Sequence, residues 1–191
     1  MEEPSDARLV EEARRGSRDA FAELVRRHER RVYGLALRMS GDPSEADDLA
    51  QEVFMSAWKA IGSFRGRSSF STWLYRIAVN TSLTFLKRKG RERGQVPFDE
   101  RLPARGPAGD RASGPEDNAA WGELAARAQR AVAGLPSRFR ATFALVVDQG
   151  LSHAEAARVL GCAETTVSWR MHRARRLLRA RLEPFLEEVR S

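Results

Sequence analysis

Cysteine is nearly missing from this chain: Cys162 is the single one among 191 residues. One thiol cannot close an internal disulfide, which fits a reducing cytosol. Long apolar runs are missing too. No stretch approaches the roughly 18 consecutive apolar residues that a membrane span needs. The opening Met1-Glu2-Glu3-Pro4-Ser5-Asp6 is acidic and has no apolar core, so no secretory signal is expected and a cytoplasmic protein is. The three histidines, His28, His153 and His172, stand apart without metal-ligand spacing. Neither a glycine-rich phosphate loop nor an H-E-x-x-H or G-x-S-x-G pattern occurs. No catalytic constellation, metal site or cofactor is therefore expected. Sustained period-two alternation is absent as well, which argues against strands.

What is abundant is charge. Lys and Arg number 33 against 26 Asp and Glu, a formal net charge of +7. The surplus is uneven: net +3 over residues 1–90, −2 over 91–125 and +6 over 126–191. A basic chain with its surplus at one end suggests a polyanionic partner.

Apolar spacing is helical almost throughout. Phe21, Leu24, Val25, His28, Val32, Leu35, Ala36 and Met39 recur every three or four residues. Gly41-Asp42-Pro43 breaks that helix, and Ser44 with Asp47 reads as the capping signal of the next. That second helix carries Leu49, Val53, Ala57 and Ile61 inward. A loop rich in Gly, Ser and Arg, 62–69, precedes a third helix with Phe70, Trp73, Leu74, Ile77, Ala78, Thr81 and Phe85 on one stripe. From Gly90 to Asn118 nine of 29 residues are Gly or Pro. Such a segment cannot bury enough surface to offset its ordering entropy, so it reads as an extended linker. Helical spacing returns at Trp121, Leu124, Ala128 and Val132, and again at Phe139, Phe143 and Val146. The expected architecture is all-α: two small helical domains, 1–90 and 121–191, joined by a flexible linker, 91–120.

The basic end has the layout of a helix-turn-helix. Ser152 and Glu155 form a capping signal, and small Ala156 and Ala157 allow close helix packing. Gly161 suits the left-handed position after a helix end. The next helix, from about Thr165 towards Arg181, buries Val167, Met171, Ala174 and Leu178. Six arginines fall within residues 170–181, with no acidic residue among them. In this motif the start of the second helix enters the major groove while flanking cations hold phosphates. Thr165, Thr166, Ser168, Trp169 and Arg170 are thereby candidates for base edges, and Arg173, Arg175 and Arg176 for the backbone. Trp169 lies off the buried stripe, so partial exposure is expected. Cys162, in the turn, reads as a small semi-buried residue.

Three segments carry a family resemblance: Asp47-Asp48-Leu49-Ala50-Gln51-Glu52-Val53-Phe54 with Ala57-Trp58; Phe64-Arg65-Gly66 and then 70–80; and Ser152 to Arg175. In this order the chain resembles sigma-70-family transcription initiation factors, specifically the small extracytoplasmic-function (ECF) group. The resemblance implies a non-enzymatic factor that binds core RNA polymerase and directs promoter-specific initiation, reading −35 duplex and opened −10 DNA. It implies that Asp48, Gln51 and Glu52, one helix face at i, i+3 and i+4, dock on the clamp helices of the largest polymerase subunit. Phe64 and Asn80 would read −10 bases. Arg65, Arg67, Arg76, Lys87, Arg88 and Lys89 would attract the displaced strand, since unpaired bases stack on aromatic rings and their phosphates seek cations. Phe70, Trp73 and Ile77, on the apolar stripe, would instead hold the domain together. The linker would thread the polymerase towards its active centre and RNA exit path, and an anti-sigma factor is a further implied partner. Thr165, Ser168 and Trp169 depart from the usual family residues, so the −35 preference is expected to differ. The competing reading, a freestanding helix-turn-helix regulator, leaves the first two segments without a role.

Overall fold

The computed structural model describes residues 4–92 and 127–188, and every regular element among them is helical. The chain runs α1 (Asp6–Arg14), α2 (Arg18–Ser40), α3 (Pro43–Ala60), a 3-10 turn (Ile61–Ser63) and α4 (Phe70–Glu92). It resumes with α5 (127–133), α6 (Ser137–Phe143), a π turn (Ala144–Asp148), α7 (His153–Leu160) and α8 (Glu164–Glu188). Helix α4 continues through Gly90 to Glu92, and the rest of the expected linker, with Trp121 and Leu124, lies outside the described residues.

Helix α2 is central and packs against α1, α3 and α4. Its stripe behaves as the spacing predicts: Leu24, His28, Val32, Leu35, Ala36 and Met39 are buried. Fully burying each leucine is worth roughly 2 kcal/mol. Helix α3 buries Leu49, Val53 and Ala57, followed by Ile61. Helix α4 is covered on a wider arc than one stripe, because Thr72, Tyr75, Val79 and Ser82 are buried beside Phe70, Leu74 and Ala78.

One local expectation needs correction, and one helix gave no signal in the sequence. The start of α3 is capped by Asp42, whose side chain accepts from the Glu45 N–H at 3.0 Å, not by Ser44 with Asp47. Pro43 decides this: its fixed φ and missing N–H suit the first helical position, which moves the cap to the residue before it. A helix also precedes Phe21. Ser5 caps α1, which buries only Leu9, Val10 and Ala13, too short an apolar pattern to show as periodicity.

At the basic end the helix-turn-helix forms as read. Ser152 and Glu155 make a reciprocal capping box, and Gly161 ends α7 with φ +64°. Val167, Met171, Ala174 and Leu178 are buried along α8. Between α6 and α7 the helix widens into the π turn, with the Gln149 N–H bonded to the Ala144 carbonyl at 3.0 Å. The two helical blocks are not separate in their packing: Ala144, Leu145 and Val159 belong to the same buried cluster as Leu24, Leu35 and Leu74.

Candidate functional site

The chain presents three surfaces. On α3, Asp48, Gln51 and Glu52 are exposed side by side. They ride outward because Leu49 and Val53 on the opposite face are anchored in the core. Met55 continues the same face one turn further and is 54% exposed, one of three large apolar side chains so exposed among the described residues. Sequence reasoning missed it, although its i+7 spacing from Asp48 places it there. An acidic and amide rim beside an accessible methionine suits a basic protein partner better than a nucleic acid.

The second surface lies where the 3-10 turn meets α4. Ser69 caps α4, its Oγ accepting from the Thr72 N–H at 3.2 Å, so the loop before it is anchored at both ends. Phe64 is half-buried, its ring 5.3 Å from that of Trp73 and 6.2 Å edge-on from Phe70. Phe70 in turn meets the buried His28 ring at 5.3 Å. The four rings form one cluster of tilted and edge-to-face contacts, with Phe64 and Trp73 half-buried and Phe70 in the interior place expected of it. Arg65 and Arg67 are exposed in the loop. Arg76 and Asn80 sit one turn apart on α4, both exposed, with the Arg76 guanidinium donating to the Arg158 carbonyl. Lys87 and Arg88 are exposed further along, Arg88 lying 5.9 Å over the Phe85 ring. Lys89 differs from them. It pairs with Glu45 at the start of α3 and lies 5.6 Å over the same ring, so it staples α4 to α3.

The third surface is the outer face of α8. Thr165, Ser168 and Trp169 are exposed near its start, with Arg175 and Arg176 further on. Thr166, Arg170 and Arg173 are half-buried at the margins. Trp169 is 52% exposed, its inner edge 5.7 Å from the Phe139 ring of α6. Ser168 is tied back: its Oγ meets His153 Nδ1 at 2.9 Å, a bridge between the two helices of the motif. His172 lies exposed on the same face between Trp169 and Arg176, a position the arginine pattern concealed. The Glu155 carboxyl is held below the usual range by hydrogen bonds from the Ser152 side chain and backbone, so it stays ionised in its cap. Among the described residues no group of His, Cys, Asp and Glu could hold a metal ion, and no helix is long and apolar enough to cross a membrane.

Comparison with known proteins fits this layout. Sigma-70 region 2 matches residues 24–92, and sigma-70 region 4 matches residues 125–178. The RNA polymerase sigma-H factor of Pseudomonas aeruginosa is 36% identical over 99% of this chain and 100% of its own length. The ECF RNA polymerase sigma-E factor of Escherichia coli is 36% identical over 97% of this chain and 98% of its own. Among solved structures, the sigma factor RpoE of Bartonella quintana, in complex with the anti-sigma factor NepR, superposes with a TM-score of 0.64. It is 27% identical and covers 85% of this chain and 96% of that one. The chain belongs to the sigma-70 family of RNA polymerase sigma factors, in its ECF group. Its class is thus a transcription initiation factor, not an enzyme: it gives RNA polymerase promoter specificity.

Proposed function

We propose that this chain divides that work among its three surfaces. The α3 face of Asp48, Gln51 and Glu52 docks on the clamp helices of the largest subunit of core polymerase, with Met55 as its apolar centre. Opposite charge gives orientation and a fast encounter, and the desolvated methionine gives contact energy. Phe64 and Asn80 read unpaired −10 bases. Arg65, Arg67, Arg76, Lys87 and Arg88 hold the opened strand, while Lys89 acts through Glu45 to position α4. Opening then draws on binding energy to unpaired bases rather than on catalysis. On α8, Thr165, Thr166, Ser168, Trp169 and Arg170 meet −35 base edges, and Arg173, Arg175 and Arg176 hold phosphates. The division into residues 1–90, a linker over 91–120 and 121–191 follows this assignment, with the linker passing through the polymerase. The protein works in the cytoplasm, where core polymerase is, and an anti-sigma factor of the kind seen with the Bartonella relative is its natural antagonist.

The observation that carries this reading is the exposed Asp48–Gln51–Glu52 face, which has no role in the fold. Asp48→Arg with Gln51→Ala is expected to weaken binding to core polymerase by about a hundredfold, two tenfold steps of 1.4 kcal/mol each. Circular dichroism should be unchanged. Promoter-selective transcription by core polymerase on genomic templates should require the wild-type protein and fail with this variant. Full affinity in the variant refutes the docking face; no stimulation by the wild type on any template refutes the function.

A further inference from the structure

Ser168 is exposed on α8, whose rotation is fixed by the buried Val167 and Met171. Its hydroxyl is not free to turn. The Oγ lies 2.9 Å from Nδ1 of His153, 15 residues earlier at the first position of α7. His153 is itself held in place. The capping box of Ser152 and Glu155 fixes the backbone on either side of it, and the buried Ala156 and Ala157 seat its helix. Among the described residues the imidazole has no second hydrogen-bond partner, so Nε2 is left to the surroundings.

The bond between these two side chains has two chemical forms. A serine hydroxyl has one proton to donate and two lone pairs with which to accept. A neutral imidazole in water favours the tautomer protonated on Nε2. Nδ1 then accepts, and the hydroxyl proton is engaged by it. Ser168 shows only lone pairs outward, which match the amino group of adenine or cytosine in the major groove. In an imidazolium both ring nitrogens are donors. Nδ1–H occupies one serine lone pair, and the hydroxyl proton is free to point at O6 of guanine or O4 of thymine. Histidine is the side chain whose charge changes near neutral pH.

Resting on the assignment of Ser168 to the −35 bases above, we propose that His153 is a positioning residue for −35 recognition, one that sets the polarity of the Ser168 hydroxyl and reverses it on protonation. The base preferred opposite Ser168 is then an amino base when His153 is neutral and a keto base when it is charged. The added charge also attracts phosphates, but it does so for every sequence alike, so the switch lies in discrimination rather than in affinity. Helix α7 packs against α8, α4 and the π turn. Of the charged groups these elements bring, Glu155 is held in the α7 cap, Asp148 of the π turn by Arg38, and Arg76 of α4 on the Arg158 carbonyl. Arg158 lies in the last turn of α7, at the far end from His153. On α8, Glu164 and His172 stand one turn to either side of Ser168, with Arg175 a turn beyond, so His172 is the histidine to control for.

Holoenzyme made with the full-length chain is titrated with promoter duplexes carrying each single base-pair change in the −35 element, at about pH 6 and about pH 8, either side of the usual histidine range. One position should change its discrimination between amino and keto bases by about fivefold, the net worth of one hydrogen bond, with keto bases gaining at the lower pH. The change should vanish in His153→Gln, whose amide can hold Ser168 but does not titrate, and in Ser168→Ala. It should persist in His172→Gln. Discrimination independent of pH, a change of opposite sign, survival in either of the first two variants or loss in the third would each overturn the switch. A second measurement needs no variant to fold. The imidazole nitrogen resonances of the free full-length chain should show neutral His153 with its proton on Nε2 and a hydrogen-bonded, bare Nδ1; a proton on Nδ1 in the neutral ring overturns the switch as well. Holoenzyme that discriminates among no −35 sequences at either pH would count against the sigma-factor reading of this surface, whereas the ring tautomer still judges the bridge.

Discussion

Asp6 Oδ2 lies 2.7 Å from His28 Nε2, while Asp6 Oδ1 accepts from Arg27 at 3.1 Å. Through these contacts one carboxylate pins α1 to α2. Burial alone would raise the Asp6 pKa, but the hydrogen bonds and charges of His28 and Arg27 outweigh it and hold the carboxyl below its ordinary range. A depressed folded-state pKa means stability that is present above the unfolded value, near 3.9, and lost as pH falls through the lower folded value. Asp6→Asn should therefore lower the urea midpoint at about pH 6, and the difference from wild type should shrink as the pH falls through the lowered folded value. A midpoint difference constant across that range would show that the charge is irrelevant. The sequence placed His28 on the inner stripe of α2, but its partner is 22 residues away on a helix too short to betray itself. Ser168 is a parallel case. Its exposure follows from the α8 stripe, yet its bond to His153 depends on how α7 crosses α8.

At the scale of elements, local chemistry was legible wherever both partners lie within one turn. Ser152 and Glu155 are three apart, and their capping box forms as written. Gly134 shows the opposite situation. It reads as a simple break before Pro136, but its Cα faces Arg181 of α8, whose Nη1 donates to the Ala131 carbonyl at 2.8 Å. A Cβ on Gly134 would stand 2.5 Å from that Nη1. Gly134→Ala should push the guanidinium off the end of α5, and because that guanidinium is the far end of a flexible side chain the cost is at most the net worth of one hydrogen bond, about 1 kcal/mol. Thermal unfolding would show it, and Arg181→Ala in the same background should add little, because the bond is already gone. Full additivity of the two substitutions would contradict the account.

For the molecule as a whole, the charge asymmetry becomes a prediction about salt. If Arg175 and Arg176 hold phosphates, replacing either with Ala should reduce the slope of log affinity against log salt by about 0.9 for −35 duplex bound by the holoenzyme. Trp169→Ala should change discrimination among −35 sequences and leave that slope alone. A Trp169 variant that alters only the slope would reverse the assignments. Helix content, the buried stripes of α2, α3 and α8, the helix-turn-helix and the identity of the α3 face were all determined by the sequence itself, because periodicity and short motifs record which side of a helix is buried. The sequence could not disclose that Arg38 meets Asp148, that Arg140 ends on Met39, or that Lys89 turns back to Glu45. Those pairs are separated by 110, 101 and 44 residues, and no local pattern encodes them. Only the tertiary structure decided that the two helical blocks share one core, because that depends on which unpaired faces find each other once every helix has formed.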